Sequence, residues 1–478
     1  MRVFATLLVL TVLAALPAQA QISVPPGVGT LETAVNANTT PGQVFQLERG
    51  ATYLLLERID PEVDVVIEAA GEGDCPAVPS DCPLIQPAPA VGGGESDRPF
   101  QLDVPGISAT LREVAMTNRN PAGQQRDRMI RLRAPAVTLR LERVLLFGEN
   151  TMVVRVDTGS DTGDPNDPND DLPGPTILVD GSIIKDVGNL DGNLDEGRFI
   201  DDRGNDMNRV SVTNSTFYHI LNRVMRNDGG DLNELRFEYN TLHFVRRRAV
   251  EAGEVGQATV RNLMFVNVGF EGAGADETNS MIQLDSLNTG NDRHLVSHIN
   301  WLLDPALIEE TDGEIVLLNS VAGDANDGFE DTLTETPVTF TNVPSAFFDF
   351  TGEPFDYAYT PQITGSDGDP IGAISWFGLS VSNEPGTATA PATFRLDGAY
   401  PNPFSTQALV TYTLDAAAEV TLEVFDLLGR QVAVLDAGLR AAGEHGTSFD
   451  AATLPAGTYV VRLAADGRAE TRKLTLLR

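Results

Sequence analysis

Two stretches of this chain, NSTFYHILNRVMRNDGG from Asn214 and YNTLHFVRRRAVEAGEV from Tyr239, are versions of one another. Ser215-Thr216-Phe217 aligns with Asn240-Thr241-Leu242, Met225 with Val250, and Arg226 with Glu251. The period is about 25 residues, within the range of stacked repeat architectures. It extends backward to DGSIIKDV at Asp180 and forward to RNLMFVNV at Arg261. Ile184, Phe217 and Leu242 then form one apolar column, Val187, Ile220 and Val245 a second, and Ile200, Met225 and Val250 a third.

One period holds two or three short strands, too few to bury their own apolar face. Stacking coil on coil buries the columns as inward ladders. Alternating strands at this repeat length predict a right-handed parallel β-helix. The Leu-x-x-Leu-x-Leu signature of a leucine-rich repeat is absent, and so is the 3.6-residue periodicity of helical repeats. Weaker copies (LREVAMTN, VTLRLERVLLFG, HLVSHINWLL, GEIVLLNSVAG) spread the pattern over residues 21–380.

The end of the chain reads differently. ALVTYTL, AEVTLEVFD, RQVAVL, GTYVVRLAA and RKLTLL are short strands separated by Gly429, Gly438, Gly443 and Pro455-Ala456-Gly457. This spacing predicts a small immunoglobulin-like β-sandwich over 393–478. The Pro/Gly/Ala/Thr-rich stretch 381–392 reads as the linker before it. The fold class is therefore all-β: a right-handed parallel β-helix followed by a small sandwich.

Tyr400-Pro401-Asn402-Pro403-Phe404, then VFDLLGRQVAVL, LPAGTYVVRL and a basic-apolar end resemble the C-terminal (type A) sorting domain of the type IX secretion system. The resemblance implies passage through the periplasm and the outer membrane, then release or attachment at the cell surface, with the secretion machinery as a partner. The alternative is an ordinary carbohydrate-binding module of the same fold. At the other end, a basic Met1-Arg2, an apolar run and Ala18-Gln19-Ala20 predict a signal peptide over 1–20. No other stretch is apolar and long enough to span a membrane.

Two further segments, VPPGVGTLETAVNANTTPGQVFQLERGATYLLLERI and FDYAYTPQITGSDGDPIGAISWFG, resemble the opening and closing parts of pectate-lyase-like β-helix proteins. The first contains a short amphipathic helix that would cap the apolar end of the solenoid.

The formal net charge of -35 argues against nucleic acid and anionic lipid as partners. Lys185 and Lys473 are the only lysines. Many acids with little lysine suits a saline habitat, and GC-rich codon usage gives the same pattern. Cys75 and Cys82 read as a small disulfide in an exported chain, or less well as half of a metal site.

The repeat also stacks chemistry. Lys185, Tyr218 and His243 fall in one outward column, Asp201, Arg226 and Glu251 in another, and Arg223 with Arg248 in a third. Polysaccharide lyases of the resembled fold use a basic residue to take the proton beside a uronate carboxylate, with calcium or another cation steadying the enolate. On that reading Lys185, Arg226 and Arg248 are the catalytic candidates. Tyr218, His243, Arg223 and Glu251 then contact the substrate. The paired Lys and Arg with acidic cation ligands of the lyase pattern is not matched at its spacing. The bland alternative is a cross-strand charge ladder on a solvated face.

Two acidic loops carry a calcium expectation. One packs Asp161, Asp164, Asp167, Asp170 and Asp171; the other offers Asp191, Asn193 and Asp195 at alternate positions, then Asp202. Hydrated loops inserted between coils are the favoured reading of both, and no other cofactor is expected. The function that follows is engagement of extracellular polysaccharide. Its enzymatic form is a β-eliminating lyase on a uronate glycan; the remaining class is a structural or adhesive surface protein with no catalytic site.

Overall fold

The computed structural model describes residues 21–89, 99–126, 128–148, 152–158, 172–188, 197–269, 279–286, 293–302, 315–320, 333–342, 356–360, 363–366, 370–373, 395–400, 407–414, 418–426, 430–440, 443–451, 454–465 and 468–476. The predicted signal peptide 1–20 and linker 381–392 lie outside them. The chain divides into two compact units, Met1–Val381 and Ser382–Arg478.

The first unit is a parallel β-helix with three faces. Face A runs through Gln43–Leu47, Val65–Ala69, Ser108–Arg112, Thr138–Glu142, Thr176–Asp180, Met207–Thr213 and Leu232–Glu238. Face B runs through Thr52–Leu55, Leu84–Pro87, Ala115–Thr117, Leu145–Gly148, Ile183–Val187, Thr216–Ile220 and Thr241–Val245. Face C runs through Phe100–Leu102, Arg128–Leu132, Met152–Val156, Arg198–Asp202 and Met225–Asn227. The long strand Val250–Val268 turns through all three faces.

The expected columns are present in register. Ile184, Phe217 and Leu242 are successive partners on face B, as are Val187, Ile220 and Val245. On face C, Phe100, Ile130, Val154, Ile200, Met225, Val250 and Ile282 form one continuous buried column. Burying an apolar side chain of this size contributes about 1.5–3 kcal/mol each, so a ladder of them offsets the ordering of short strands.

From Glu113 onward the corner from face A to face B keeps one form. Two residues join the faces, and the first has positive φ: Glu113, Arg143, Gly181, Asn214, Tyr239 and Asn262 in successive coils. The second residue faces the interior and carries a polar ladder. The Ser182 Oγ accepts from Val144 N at 3.1 Å, the Ser215 Oγ from Ser182 N at 3.1 Å, and the Asn240 Oδ1 from Ser215 N at 2.9 Å. Asn240 Nδ2 also donates to Val212 O at 2.8 Å. These bonds satisfy backbone groups that a buried turn would otherwise leave unpaired.

The short amphipathic helix expected near the start is α1, Thr30–Asn36, whose Leu31 and Val35 enter the solenoid core. Cys75 and Cys82 are disulfide-bonded. The second unit holds a three-stranded antiparallel sheet (Arg395–Tyr400, Gln407–Leu414, Gly443–Asp450) and a four-stranded one (Gln431–Arg440, Ala418–Asp426, Gly457–Ala465, Arg468–Leu476). Leu396, Tyr412, Leu422, Phe449 and Leu463 are among their shared core.

Candidate functional site

Lys185, Tyr218 and His243 are successive cross-strand partners on the outer side of face B. They do not form an open wall, because Lys185 and Tyr218 are only 2% exposed and His243 7%. Distant segments cover this side of the solenoid. Cys75 and Cys82 pack with Ala115, Leu145, Ile183 and Tyr218 below. Tyr359 and Ile371, from the closing segment, pack with Met264 above, and Ala373 N donates to Thr241 Oγ1 at 3.0 Å.

One residue further on, each coil bends through a positive-φ position: Asp186, His219, Phe244 and Asn267. Asp186 Oδ1 lies 3.0 Å from His219 Nδ1, and Lys185 Nζ lies 3.2 Å from Asp186 Oδ2. The Tyr218 ring sits 3.6 Å from the His219 ring and 5.2 Å from His243. Burial pulls the His219 imidazole below its ordinary value despite the Asp186 carboxylate. Burial and neighbouring His219 pull His243 down to about 3, and burial pushes the Tyr218 phenol up. At neutral pH both imidazoles are therefore uncharged, and the Lys185–Asp186 ion pair lies beside them. Asp186 and His219 are absent from the sequence-derived candidates, although they occupy the adjacent column of the same alignment.

The second column, Asp201–Arg226–Glu251, is also in register, on the outer side of face C. One pairing runs down the column, where Arg155 of the preceding coil is the register partner of Asp201, and the others run off it. Asp201 is held by Arg155, Arg198 and Arg203, Arg226 by Asp228, and Glu251 by both Arg223 and Arg248. Arg223 and Arg248 lie at the corner between faces B and C, in coils where four residues make that corner (221–224 and 246–249). Arg198, which opens face C one coil earlier, joins this group, and sequence reasoning passed over it and Arg155. Burial pulls the Arg223 guanidinium down to about 10. Glu251 opposes that fall, and Arg248, Arg198 and Arg226 add to it. Among the described residues, six guanidiniums (Arg155, Arg198, Arg203, Arg223, Arg226, Arg248) here meet three outward carboxylates (Asp201, Asp228, Glu251).

Lys185 thus stands on face B, whereas Arg226 stands on face C, with Arg223 and Arg248 at the corner between them. Asp202 points into the core. It shares a column with Leu132, Val156 and Ala252, with Asn227 as its next neighbour. Its carboxylate accepts from Asn205 Nδ2 at 2.7 Å and Asn227 Nδ2 at 3.1 Å. Amide donors thus occupy the oxygens that the calcium expectation assigned to a cation. Asp191, Asn193 and Asp195, with the Asp161–Asp171 loop, lie outside the described residues. Among the described residues no three His, Cys, Asp or Glu side chains form a metal-holding group.

Among the described residues no helix is long and apolar enough to cross a membrane. No curated protein matches the chain. Residues 398–476 match the family described as the secretion system C-terminal sorting domain. That span covers the antiparallel strands of the second unit. The chain thus ends in a sorting domain of the type IX secretion system and is a protein exported to the cell surface or the extracellular space.

Proposed function

We propose that the solenoid displays a binding site for acidic extracellular polysaccharide, formed by the arginines at the corner of faces B and C. The supporting observation is the local charge. In a chain of net charge -35, six guanidiniums stand around three outward carboxylates among the described residues, and burial, with the neighbouring arginines adding to it, pulls Arg223 down. Partly exposed arginines in excess suit bidentate recognition of carboxylate or sulfate groups. Side chains of Arg223, Arg226 and Arg248 retain 14–20% exposure, so an anion can reach them. The predicted signal peptide would deliver the chain to the periplasm for the sorting domain to act on.

Retention on immobilised polygalacturonate and alginate, against a neutral glucan, tests this. Retention on the acidic columns, release by salt, and loss in the Arg223→Ala/Arg226→Ala double variant are expected. Equal retention on the neutral glucan, or none anywhere, overturns the reading.

The lowered Arg223 gives a second reading some support: β-elimination on a uronate. A base removes the proton beside the carboxylate, the carbon–oxygen bond to the neighbouring sugar breaks, and the leaving oxygen takes up a proton. A calcium ion, when bound, would steady the enolate charge. Absorbance of the unsaturated product, measured with and without calcium, separates a lyase from a binding protein.

A further inference from the structure

Glu251 occupies the centre of the arginine cluster in an arrangement that a ligand would be expected to adopt. Its Oε2 is approached by Arg223 Nε and, at 3.2 Å, by Arg248 Nη1, from two successive corners. Glu251 comes from the next strand segment of face C, directly beside Arg226 in register. Its side chain is 15% exposed, at the rim rather than in the core. The other acids behave differently: Asp201 is fully buried and paired with Arg155, and Asp228 pairs with Arg226.

We infer that the Glu251 carboxylate is a built-in stand-in for the carboxylate of an acidic sugar, holding the seat between Arg223 and Arg248 until a uronate displaces it. The inference rests on the acidic-glycan reading. A chain that bears so many acids would otherwise leave crowded guanidiniums open to any anion. A tethered carboxylate relieves their mutual repulsion and sets a threshold: a polymer with repeated carboxylates can displace it, and a single small anion competes poorly. Glu251 is then a specificity-determining residue that weakens binding, whereas a purely structural counter-ion would strengthen it by fixing the arginines.

The test uses the full chain and measures binding of polygalacturonate and of inorganic sulfate by calorimetry. Removing an opposing charge at contact distance shifts an ionic equilibrium by about tenfold or more, so Glu251→Gln is expected to bind polygalacturonate about tenfold more tightly than wild type and to acquire sulfate binding. Glu234→Gln removes the same charge from the Arg209 pair on face A and serves as the control; no comparable gain is expected. Wild type that binds while a folded Glu251→Gln binds equally or more weakly overturns the stand-in role and leaves the glycan reading intact. An equal gain in Glu234→Gln also overturns it, by showing general charge relief. Failure of wild type and Glu251→Gln alike to bind any acidic polymer sinks the glycan reading itself, and this inference with it. Should Glu251→Gln not fold, Glu251→Asp withdraws the carboxylate by one methylene, and a gain of a few-fold is expected in its place.

Discussion

Burial raises the Asp202 carboxyl from 3.8 to about 6, against the pull of Asn205 and Arg155. Its protonated form is therefore the one the core prefers. A folded-state value above the unfolded one means the stabilising contribution is complete below pH 3.8 and is lost as pH rises through 6. A shift of that size corresponds to about 3 kcal/mol. His243 works in the opposite sense. Its folded value near 3 lies below the ordinary 6.5, so its contribution is present above 6.5 and is lost as pH falls toward 3. Asp202→Asn is expected to gain melting temperature over wild type at pH 7.5 and to show no gain at pH 3.5. His243→Gln is expected to move the acid-unfolding midpoint to lower pH; an unmoved midpoint would show that His243 is not the group that titrates. Neither behaviour was legible in the sequence. An aspartate after an acidic loop reads as a surface ligand, and nothing local says that its column is otherwise Leu132, Val156 and Ala252. The stand-in at Glu251 was partly legible, since its alignment with Arg226 is plain, while its clasp by Arg223 and Arg248 depends on how the corner folds.

At the scale of strands and corners the pattern was much clearer. Alternation within each strand, repeated at fixed spacing, specified which side chains stack, because a one-residue slip would turn a whole apolar set outward. Ile200, Met225 and Val250 meet for that reason. Met225→Ala is expected to cost about 2–5 kcal/mol in denaturant unfolding, the range for deleting a large buried side chain. The polar ladder at the A–B corner is as demanding. Asn240→Ala leaves Ser215 N and Val212 O without their side-chain partner, and a loss of about 2–3 kcal/mol is expected from groups buried unpaired. An Asn240→Ala protein with an unchanged unfolding midpoint would show that water or a shifted turn replaces the amide. The burial of Tyr218 was not legible, because it packs with Cys75 and Cys82, far away in the chain.

For the molecule as a whole, the address lies in the second unit and the proposed binding corner in the first. The sorting strands were readable from their spaced motifs, since each short strand and its turn residues lie contiguously in the sequence. A chain ending before residue 393 is expected to accumulate in the periplasm, with none at the cell surface by fractionation; surface display of that truncated chain would show that other residues carry the address. The acidic remainder of the surface repels polyanions at long range, and screening relieves this within about a Debye length of 8–10 Å at ordinary salt. Binding of an acidic polymer to the arginine corner is therefore expected to pass through an optimum in salt rather than to fall steadily. A monotonic fall in the column assay would show that long-range repulsion by the acidic surface plays no part in binding at the corner.

From residue 113 onward the corner after face A is held at two residues, although nearer the start it takes in 48–51 and the disulfide-bonded 70–83, while the other two corners range from a few residues to long insertions such as 118–127 and 157–175. From residue 113 onward, chain length in the solenoid changes along two edges and is fixed along the third. A foreign peptide spliced after Gly123 should ride outward on the rod and leave its stacking intact, whereas the same peptide spliced between Asn214 and Ser215 should part the coils on either side of it.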